Sequence, residues 1–430
     1  MRHSLMFQHS SVTSFAVYLH RTAAYPIATF FKEVMQRMPR LRTLDLRFSF
    51  PAHEIQDDLL KLFRGLPRLK KVVLPMYSYT TTVMECLSEM ADLDTIQFEF
   101  LHSQGRGDIE DVMHFNPKLQ EGAFPALTDL SLNVKLTDMT RFLCTSFAPS
   151  NLTTLYVHTL TASSPADVSD FLTVVAENCQ LLMRLYLDFI TSEDIPPNLE
   201  LPSVTWQTLR PLLDCSNLIE FEVRWDRPFR LTQDDIEELA SKWPSIETLM
   251  LNCEPVYADG EPTLDLFALV PFARHCPKLI ELGLYLSGSA DTGSVPPTAA
   301  PRPFQSLQRL ALGTSPVADA GRAALFLSEL CPRACEVVAG VTLPEGFAVR
   351  DDVVDEASVG ALRDQLSVWF DAWKEVGRTL PLLTSLRMEE RARRAALESE
   401  LEDLRIRYKL LSDRATFTFN ARADGTCIAF

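Results

Sequence analysis

The residues of this chain that could carry out chemistry do not fall into the spacing of a known catalytic motif. The sequence contains no G-x-x-x-x-G-K-[ST] phosphate loop, no G-x-G-x-x-G dinucleotide loop, no H-E-x-x-H zinc motif and no G-x-S-x-G nucleophile turn. Eight histidines occur singly, and we interpret His158 and His275 as structural or surface residues. The sequence therefore predicts a protein that is not an enzyme, with no cofactor and no metal site.

Two further groups of residues could in principle bind a metal or activate water. Cys331 and Cys335 are four residues apart, but neither a second cysteine pair nor a nearby histidine completes a zinc site, so we interpret them as packing residues. Asp-Asp pairs stand at 57–58, 234–235 and 351–352. They lie at predicted helix starts or in loops, where an acid stabilises the positive end of the helix dipole.

The remaining candidates are side chains suited to binding a partner protein. Tyr, Trp and Arg are enriched at the energetic centres of protein interfaces, although aromatic residues also favour strands for reasons of β propensity alone. The candidates are Tyr156, Arg184, Tyr186, Asp188, Glu222, Arg224, Trp225 and Tyr285.

The elements that must position these side chains are marked by a repeated hexamer, L-x-x-L-x-L. Successive copies begin roughly 24 to 36 residues apart, a period that indicates a leucine-rich-repeat solenoid. Ten clear copies occur at Leu41–Leu46, Leu69–Leu74, Leu93–Phe98, Leu127–Leu132, Leu152–Val157, Leu182–Leu187, Leu218–Val223, Ile246–Leu251, Leu279–Leu284 and Leu307–Leu312. Weaker copies stand at Val12–Val17 and Ala334–Ala339.

The intervals between hexamers are long enough for a helix, and several carry apolar residues at helical spacing. Ile27–Arg37 and Ala166–Asn178 are predicted helices, the second with Ser164 as N-cap and Pro165 at its first position. Strands that alternate with helices and run in one direction form a parallel sheet with right-handed crossovers. We therefore predict an α/β fold over residues 1–340: a horseshoe-shaped solenoid of about 11–12 irregular repeats, with a parallel concave sheet and convex helices.

Side chains alternate along a strand, so the third, fifth and seventh positions of each repeat are expected to face outward on the concave side. In the middle repeats these positions hold Thr154, Tyr156 and His158, then Arg184, Tyr186 and Asp188, then Glu220, Glu222 and Arg224, with Trp225 next. Tyr156 and Tyr186 are expected to be neighbours on adjacent strands. We predict that a protein partner binds here.

The repeats stop near Gly340. Residues 341–377 are predicted to form a linker and an amphipathic helix, and residues 378–430 a charged C-terminal helix and tail. Within 382–412, Leu397, Leu401, Leu404, Tyr408 and Leu411 are spaced four, three, four and three. This segment could cap the solenoid, form a coiled coil with a partner, or be a poorly ordered tail. Ser287–Gln305 and, more weakly, Gln104–Asp111 are predicted loops.

Composition limits the classes of partner and of location. The chain has 430 residues and a formal charge of −16, which argues against general binding to nucleic acid. No apolar run is long enough to span a membrane, and no signal peptide is evident. Nine cysteines, several of them placed just before hexamers where a small buried residue fits, suit a reducing environment. We therefore expect a cytoplasmic or nuclear protein.

Several repeats place a proline just before the hexamer: MPRLRTLDL (38–46), LPRLKKVVL (66–74), WPSIETLML (243–251) and CPKLIELGL (276–284). This arrangement resembles the irregular leucine-rich repeats of F-box proteins, particularly the fungal type, over about residues 10–340. The resemblance implies substrate recognition for an SCF-type ubiquitin ligase, with an F-box docked on the adaptor of a cullin-RING complex. Here no F-box is evident, so we expect adaptor binding only if an F-box lies upstream.

The sequence also departs from the repeat pattern, because the Asn or Cys usual at the ninth position is replaced, for example by Ser49, Lys135 and Asp226. Two alternatives to ligase recruitment stay open. One is a general interaction scaffold or adaptor, and the other is a regulator or an enzyme built on a repeat scaffold.

Overall fold

The computed structural model describes residues 9–21, 26–99, 104–190, 203–256, 261–289, 302–340 and 356–423, and in the last range the side chains of 366–412. Each predicted hexamer, including both weak copies, forms a strand that starts at its third residue. The strands are β1 (Ser14–Tyr18), β2 (Thr43–Arg47), β3 (Lys71–Pro75), β4 (Thr95–Glu99), β5 (Asp129–Val134), β6 (Thr154–Thr159), β7 (Arg184–Asp188), β8 (Glu220–Arg224), β9 (Thr248–Leu251), β10 (Glu281–Leu284), β11 (Arg309–Gly313) and β12 (Glu336–Ala339).

Helices occupy most of the intervals between strands. They are α1 (Ile27–Arg37), α2 (Gln56–Gly65), α3 (Thr81–Ser88), α4 (Leu136–Leu143), α5 (Pro165–Asn178), α6 (Trp206–Leu209), α7 (Gln233–Lys242), α8 (Leu269–His275), α9 (Ala320–Leu330) and, after β12, α10 (Glu356–Ala423). Short 3-10 helices cover Ala52–Ile55, Ile109–Val112, Arg210–Asp214 and Leu266–Ala268. The predicted cap is confirmed, since Ser164 forms a capping box with Asp167. Thr232 begins α7 in the same way, with Asp235.

All twelve strands form one parallel sheet in which the spatial order follows the chain order. The pairing register joins equivalent repeat positions, as in the row Thr154, Arg184 and Glu220 across β6, β7 and β8. Because each strand meets only its sequence neighbours, the architecture grows in one dimension. This confirms the predicted α/β solenoid with a parallel sheet.

The core lies between the helices and one face of this sheet. The fourth and sixth residues of the hexamers point into it, and in β6 and β7 Leu155, Val157 and Leu185 have no exposed surface. Helix residues such as Phe171 pack on them, and a single apolar cluster runs from Leu19 to Leu380. Truncating one such leucine to Ala typically costs about 2–5 kcal/mol. The opposite face of the sheet, which we call the open face, carries the third, fifth and seventh residues and corresponds to the predicted concave face.

The predicted loop Gln104–Asp111 is an ordered segment that folds back over the ends of β2 and β3. Gln104 is fully buried, and its Nε2 donates to Asp45 Oδ1 at 3.0 Å. Gly105 has a φ of +83°, and a Cβ there would lie 2.1 Å from the carbonyl oxygen of Phe48, so glycine is required. Asp111 accepts the backbone N–H of Ala52 at 2.6 Å and thereby begins a 3-10 helix. The predicted loop Ser287–Gln305 and the pair Asp351-Asp352 lie largely or wholly outside the described residues.

The two predicted C-terminal helices are one continuous helix, α10, with Pro381 inside it. An interior proline removes a backbone hydrogen bond and normally interrupts a helix. Here one buried stripe of Trp373, Val376, Leu380 and Thr384 runs past the proline and packs on α9 and β12. Because the stripe keeps its helical spacing across Pro381, tertiary packing holds both segments on one axis. The prediction of separate helices was wrong for this reason.

In the described ranges, no helix is long and apolar enough to cross a membrane.

Candidate functional site

The candidate site is the middle of the open face, where β6, β7 and β8 present their third and fifth residues. We define the central patch as Tyr156, Arg184, Tyr186, Glu220, Glu222 and the strand-end residue Arg224. All six are partly exposed, and the register places them in adjacent rows: Tyr156 beside Tyr186, and Tyr186 beside Glu222. Five residue pairs join β6 to β7 and five join β7 to β8, so the six side chains stand on a rigid base.

The two tyrosines are in ring contact, as the sequence predicted. Their ring centroids are 6.3 Å apart and the planes meet edge to face at 83°. On its other side Tyr156 stacks on Phe98 of β4, with centroids 5.1 Å apart and planes at 26°. The strand between them, β5, carries the small Ser131 opposite Tyr156. Three aromatic rings thus form one continuous row across the sheet.

The charged residues of the central patch are arranged as ion pairs. Arg184 Nε donates to Glu220 Oε1 at 3.0 Å, and the Tyr186 hydroxyl donates to Glu220 Oε2. Arg224 Nε donates to Glu222 Oε1 at 2.8 Å. These bonds fix Arg184 and Tyr186 in one orientation before any partner arrives, which lowers the entropy lost on binding.

The structure corrects three of the predicted contact residues. Trp225, Asp188 and Tyr285 are only 3%, 3% and 8% exposed, so they do not present a binding surface. Trp225 packs on Phe189, with ring centroids 4.9 Å apart, and belongs to the core. The alternation of side chains holds only inside a strand, and these residues stand at or after strand ends, where it no longer determines exposure. His158, at the same seventh position, is buried as well.

Asp188 is a buried residue beside the central patch. Its Oδ1 accepts the backbone N–H of Ile190 at 3.1 Å, and its Oδ2 lies 3.5 Å from His158 Nδ1. Burial, followed by the nearby charge and hydrogen bond of Asp188, raises the pKa of Tyr156 well above its ordinary value. Asp188 therefore positions its neighbours and does not contact a partner.

The remaining pKa shifts of the central patch concern Tyr186, Arg184 and Arg224, and all three are upward. Burial and the hydrogen bond to Glu220 raise the pKa of Tyr186, which stays neutral. The hydrogen bond to Glu220 also raises the pKa of Arg184. Burial alone would lower the pKa of Arg224, but Glu222 and Asp188 outweigh it and raise the value. The two tyrosines and two arginines of the central patch are therefore not poised to transfer a proton near neutral pH.

Burial raises the pKa of several thiols in the described part of the chain, which makes them less reactive. Burial raises the pKa of Cys179 and of Cys276 to about 12, and these thiols are protonated at neutral pH. Cys331 is buried and its thiol is hydrogen-bonded to that of Cys335, which together with burial raises the pKa of Cys331. No group of three or more His, Cys, Asp or Glu side chains with metal-binding geometry occurs among the described residues.

Two residues of this arrangement lie outside the predicted contact set: Glu220, which is partly exposed, and Phe98, which is only 5% exposed and supports Tyr156 without presenting a surface of its own. Glu220 was placed on the inner face but not among the contact residues, although its third position beside Arg184 indicates a cross-strand ion pair. Phe98 occupies a sixth position, which normally points into the core, and no local pattern shows that it stacks on Tyr156. Its pairing with β5 ends two residues earlier, at Ile96.

Comparison with known proteins gives a distant structural similarity but no family. No protein-family model and no curated protein matches the sequence. Among solved structures, the chain is similar to one in the crystal structure of the Rad7 and Elc1 complex in yeast, at 12% identity and a TM-score of 0.44. The match covers 82% of each chain. Similarity at this level does not assign a function.

Proposed function

We propose that this protein is a non-enzymatic binding protein that captures a partner protein on its open face through the central patch. The observation that carries the proposal is the contact pair of partly exposed tyrosines, Tyr156 and Tyr186, which the buried Phe98 supports and pre-oriented ion pairs flank. Exposed aromatic and Arg side chains on a rigid base are the usual energetic centre of a protein interface.

The charges of the open face favour a protein over a nucleic acid as the partner. Most basic side chains on this face lie beside an acid: Arg47 with Asp45, Arg184 with Glu220, Arg224 with Glu222 and Arg309 with Glu281. A phosphate backbone needs clustered, uncompensated Lys and Arg, and the whole chain carries a net charge of −16.

The proposal is tested by affinity capture from cells of the source organism, followed by mass spectrometry. Tyr156→Ala, Tyr186→Ala and Arg184→Ala, combined, should remove the partner while the circular dichroism spectrum and thermal midpoint stay close to those of the wild type. The fold is expected to survive because all three side chains are partly exposed. Each loss at an interface centre typically costs about 2 kcal/mol or more, so the combined variant should retain none of the partner.

Matched controls separate a specific site from a general change of surface. Arg309→Ala removes the same kind of cross-strand pair, with Glu281, four strands away from Arg184 on the same face. Tyr18→Ala removes an exposed tyrosine from β1. Both variants should keep the partner. Retention by the triple variant, or loss in the controls as well, would contradict binding through the central patch.

Within this function we infer a more specific role, substrate recognition for a cullin-RING ubiquitin ligase, which rests on the resemblance of the proline-preceded repeats to those of F-box proteins. A ligase receptor should co-purify with cullin and adaptor subunits, and the triple variant should keep those subunits while losing the substrate. Absence of ligase subunits from captures that contain a patch-dependent partner would favour the plain scaffold.

A further inference from the structure

The C-terminal half of α10 carries an apolar stripe that the solenoid does not cover. Arg391, which bonds the carbonyl oxygen of Glu329 at 3.3 Å, marks the far end of the contacts described between α10 and the solenoid. Beyond it, seven large apolar side chains are each more than half exposed, and five of them lie on one stripe: Leu397, Leu401, Leu404, Tyr408 and Leu411.

The spacing of this stripe is that of a coiled-coil seam. Steps of four, three, four and three put Leu401 and Tyr408 at a positions, and Leu397, Leu404 and Leu411 at d positions. A seam of this kind is stabilised when a second helix inserts its own side chains between these residues. An isolated helix of this length is marginal in water, but here the helix extends from a docked segment, which removes the cost of nucleation.

The charges beside the seam indicate that the second helix comes from an identical chain. The e positions hold Glu398 and then Arg405, and the g positions hold Glu400 and then Arg407. If an identical helix lies antiparallel with Leu401 facing Leu404, then Glu398 meets Arg405 and Glu400 meets Arg407, each twice by symmetry. If the identical helix lies parallel, Glu400 meets Arg405, again twice. The flanks are therefore complementary to themselves.

Slippage of the antiparallel pair brings like charges together. A shift by one heptad in one direction places Arg407 against Arg407 and Arg405 against Arg405. A shift in the other direction places Glu398 against Glu398 and Glu400 against Glu400. The charges thus select one register for a symmetric pair, which is the role of e and g residues in coiled coils.

We propose that a second copy of this chain covers the stripe, and that the protein forms a homodimer through a two-stranded coiled coil of residues 397–411. The dimer presents two solenoids, and thus two open faces, from one junction. Because the seam shares no residue with the central patch, dimerisation and partner capture are separate properties.

The first test is sedimentation velocity of the full chain over a wide range of protein concentration. The wild type should show a reversible monomer–dimer equilibrium. Leu404→Glu should raise the dissociation constant by at least about tenfold, because it places a charge in the seam. Leu410→Glu is the matched control, since Leu410 is similarly exposed at 61% but lies at a c position outside the seam, and it should leave the equilibrium unchanged.

The second test uses charge reversal. Glu400→Arg alone should weaken the dimer in either orientation. Adding Arg407→Glu should restore it if the helices are antiparallel, and adding Arg405→Glu should restore it if they are parallel, so restoration by either supports the proposal. A chain that stays monomeric at every concentration, equal loss in Leu404→Glu and Leu410→Glu, or restoration by neither double variant would overturn it.

The outcome is distinguishable from that of the central patch. A monomeric Leu404→Glu chain that still captures its partner would show that the patch binds independently of the dimer. A dimeric triple patch variant that captures nothing would show the converse.

Discussion

At the scale of single residues, the open face includes polar side chains that are partly buried and incompletely hydrogen-bonded. Asp129, at the third position of β5, accepts Gln97 Nε2 on Oδ2 at 2.7 Å, while its Oδ1 has no hydrogen-bond partner among the described residues. Burial is the largest cause that raises the pKa of Asp129 above its usual value. The ionised form is therefore less favourable in the folded protein than in the unfolded chain.

This gives a prediction for Asp129→Asn, which keeps an oxygen for Gln97 but removes the charge. A carboxyl group whose pKa is raised by folding lowers stability above its unfolded pKa and has no effect below it. The free energy of unfolding of Asp129→Asn should exceed that of the wild type at pH 7. The difference should vanish as the pH falls below about 3.9. Denaturant titrations at several pH values measure it, and a variant less stable than the wild type at pH 7 would contradict the assignment.

At the scale of elements, α10 packs against the last repeat of the solenoid, and Trp373 is the largest side chain in this contact. Trp373 is fully buried, and its Nε1 donates to the carbonyl oxygen of Ser315 at 2.8 Å. Arg387 supports the same contact further along, where its Nε donates to Ser328 Oγ at 2.6 Å. α10 thereby covers the edge of β12 and the side of α9, as a terminal repeat requires.

Removing the Trp373 side chain should release the helix. Trp373→Ala is expected to cost about 3–5 kcal/mol, by analogy with other buried aromatic truncations. Limited proteolysis should then cleave α10 between residues 373 and 391 much faster than in the wild type. Val368→Ala, on the same helix but 64% exposed, should leave the cleavage rate unchanged. Equal protection in both variants would show that the helix docks without Trp373.

At the scale of the whole molecule, stability should vary along the solenoid, because each repeat is stabilised by the repeats on either side. Within the described residues β1 pairs with β2 alone, and its Phe15 and Val17 are only partly buried. In contrast β7 lies between β6 and β8, and its Leu185 and Leu187 are at most 1% exposed. Opening β7 breaks two strand interfaces, whereas opening β1 breaks one.

Hydrogen exchange checks this expectation. Backbone amides of β1 should exchange faster than those of β7 by at least about tenfold, equivalent to ~1.4 kcal/mol of opening free energy. Exchange followed by mass spectrometry on peptides that cover the two strands gives the comparison. Uniform protection along the sheet would mean that the solenoid opens as one unit and not repeat by repeat.

The repeated hexamer was sufficient to predict the strands, their order and the core. Apolar residues at the fourth and sixth positions of the hexamers lie on one face of a strand, and the repetition of this pattern favours a single topology. The adjacency of Tyr156 and Tyr186 followed from the same register.

The exposure of the outward residues and the course of α10 could be seen only in the folded chain. Trp225, Asp188 and Tyr285 are buried although they stand at or after strand ends, and this burial depends on contacts that no local pattern specifies. The continuity of α10 through Pro381 depends likewise on a partner surface, the side of α9 and β12, that offsets the lost hydrogen bond. A local sequence pattern predicts which side of a strand or helix is buried. The elements that pack against that side are determined only when the whole chain has folded.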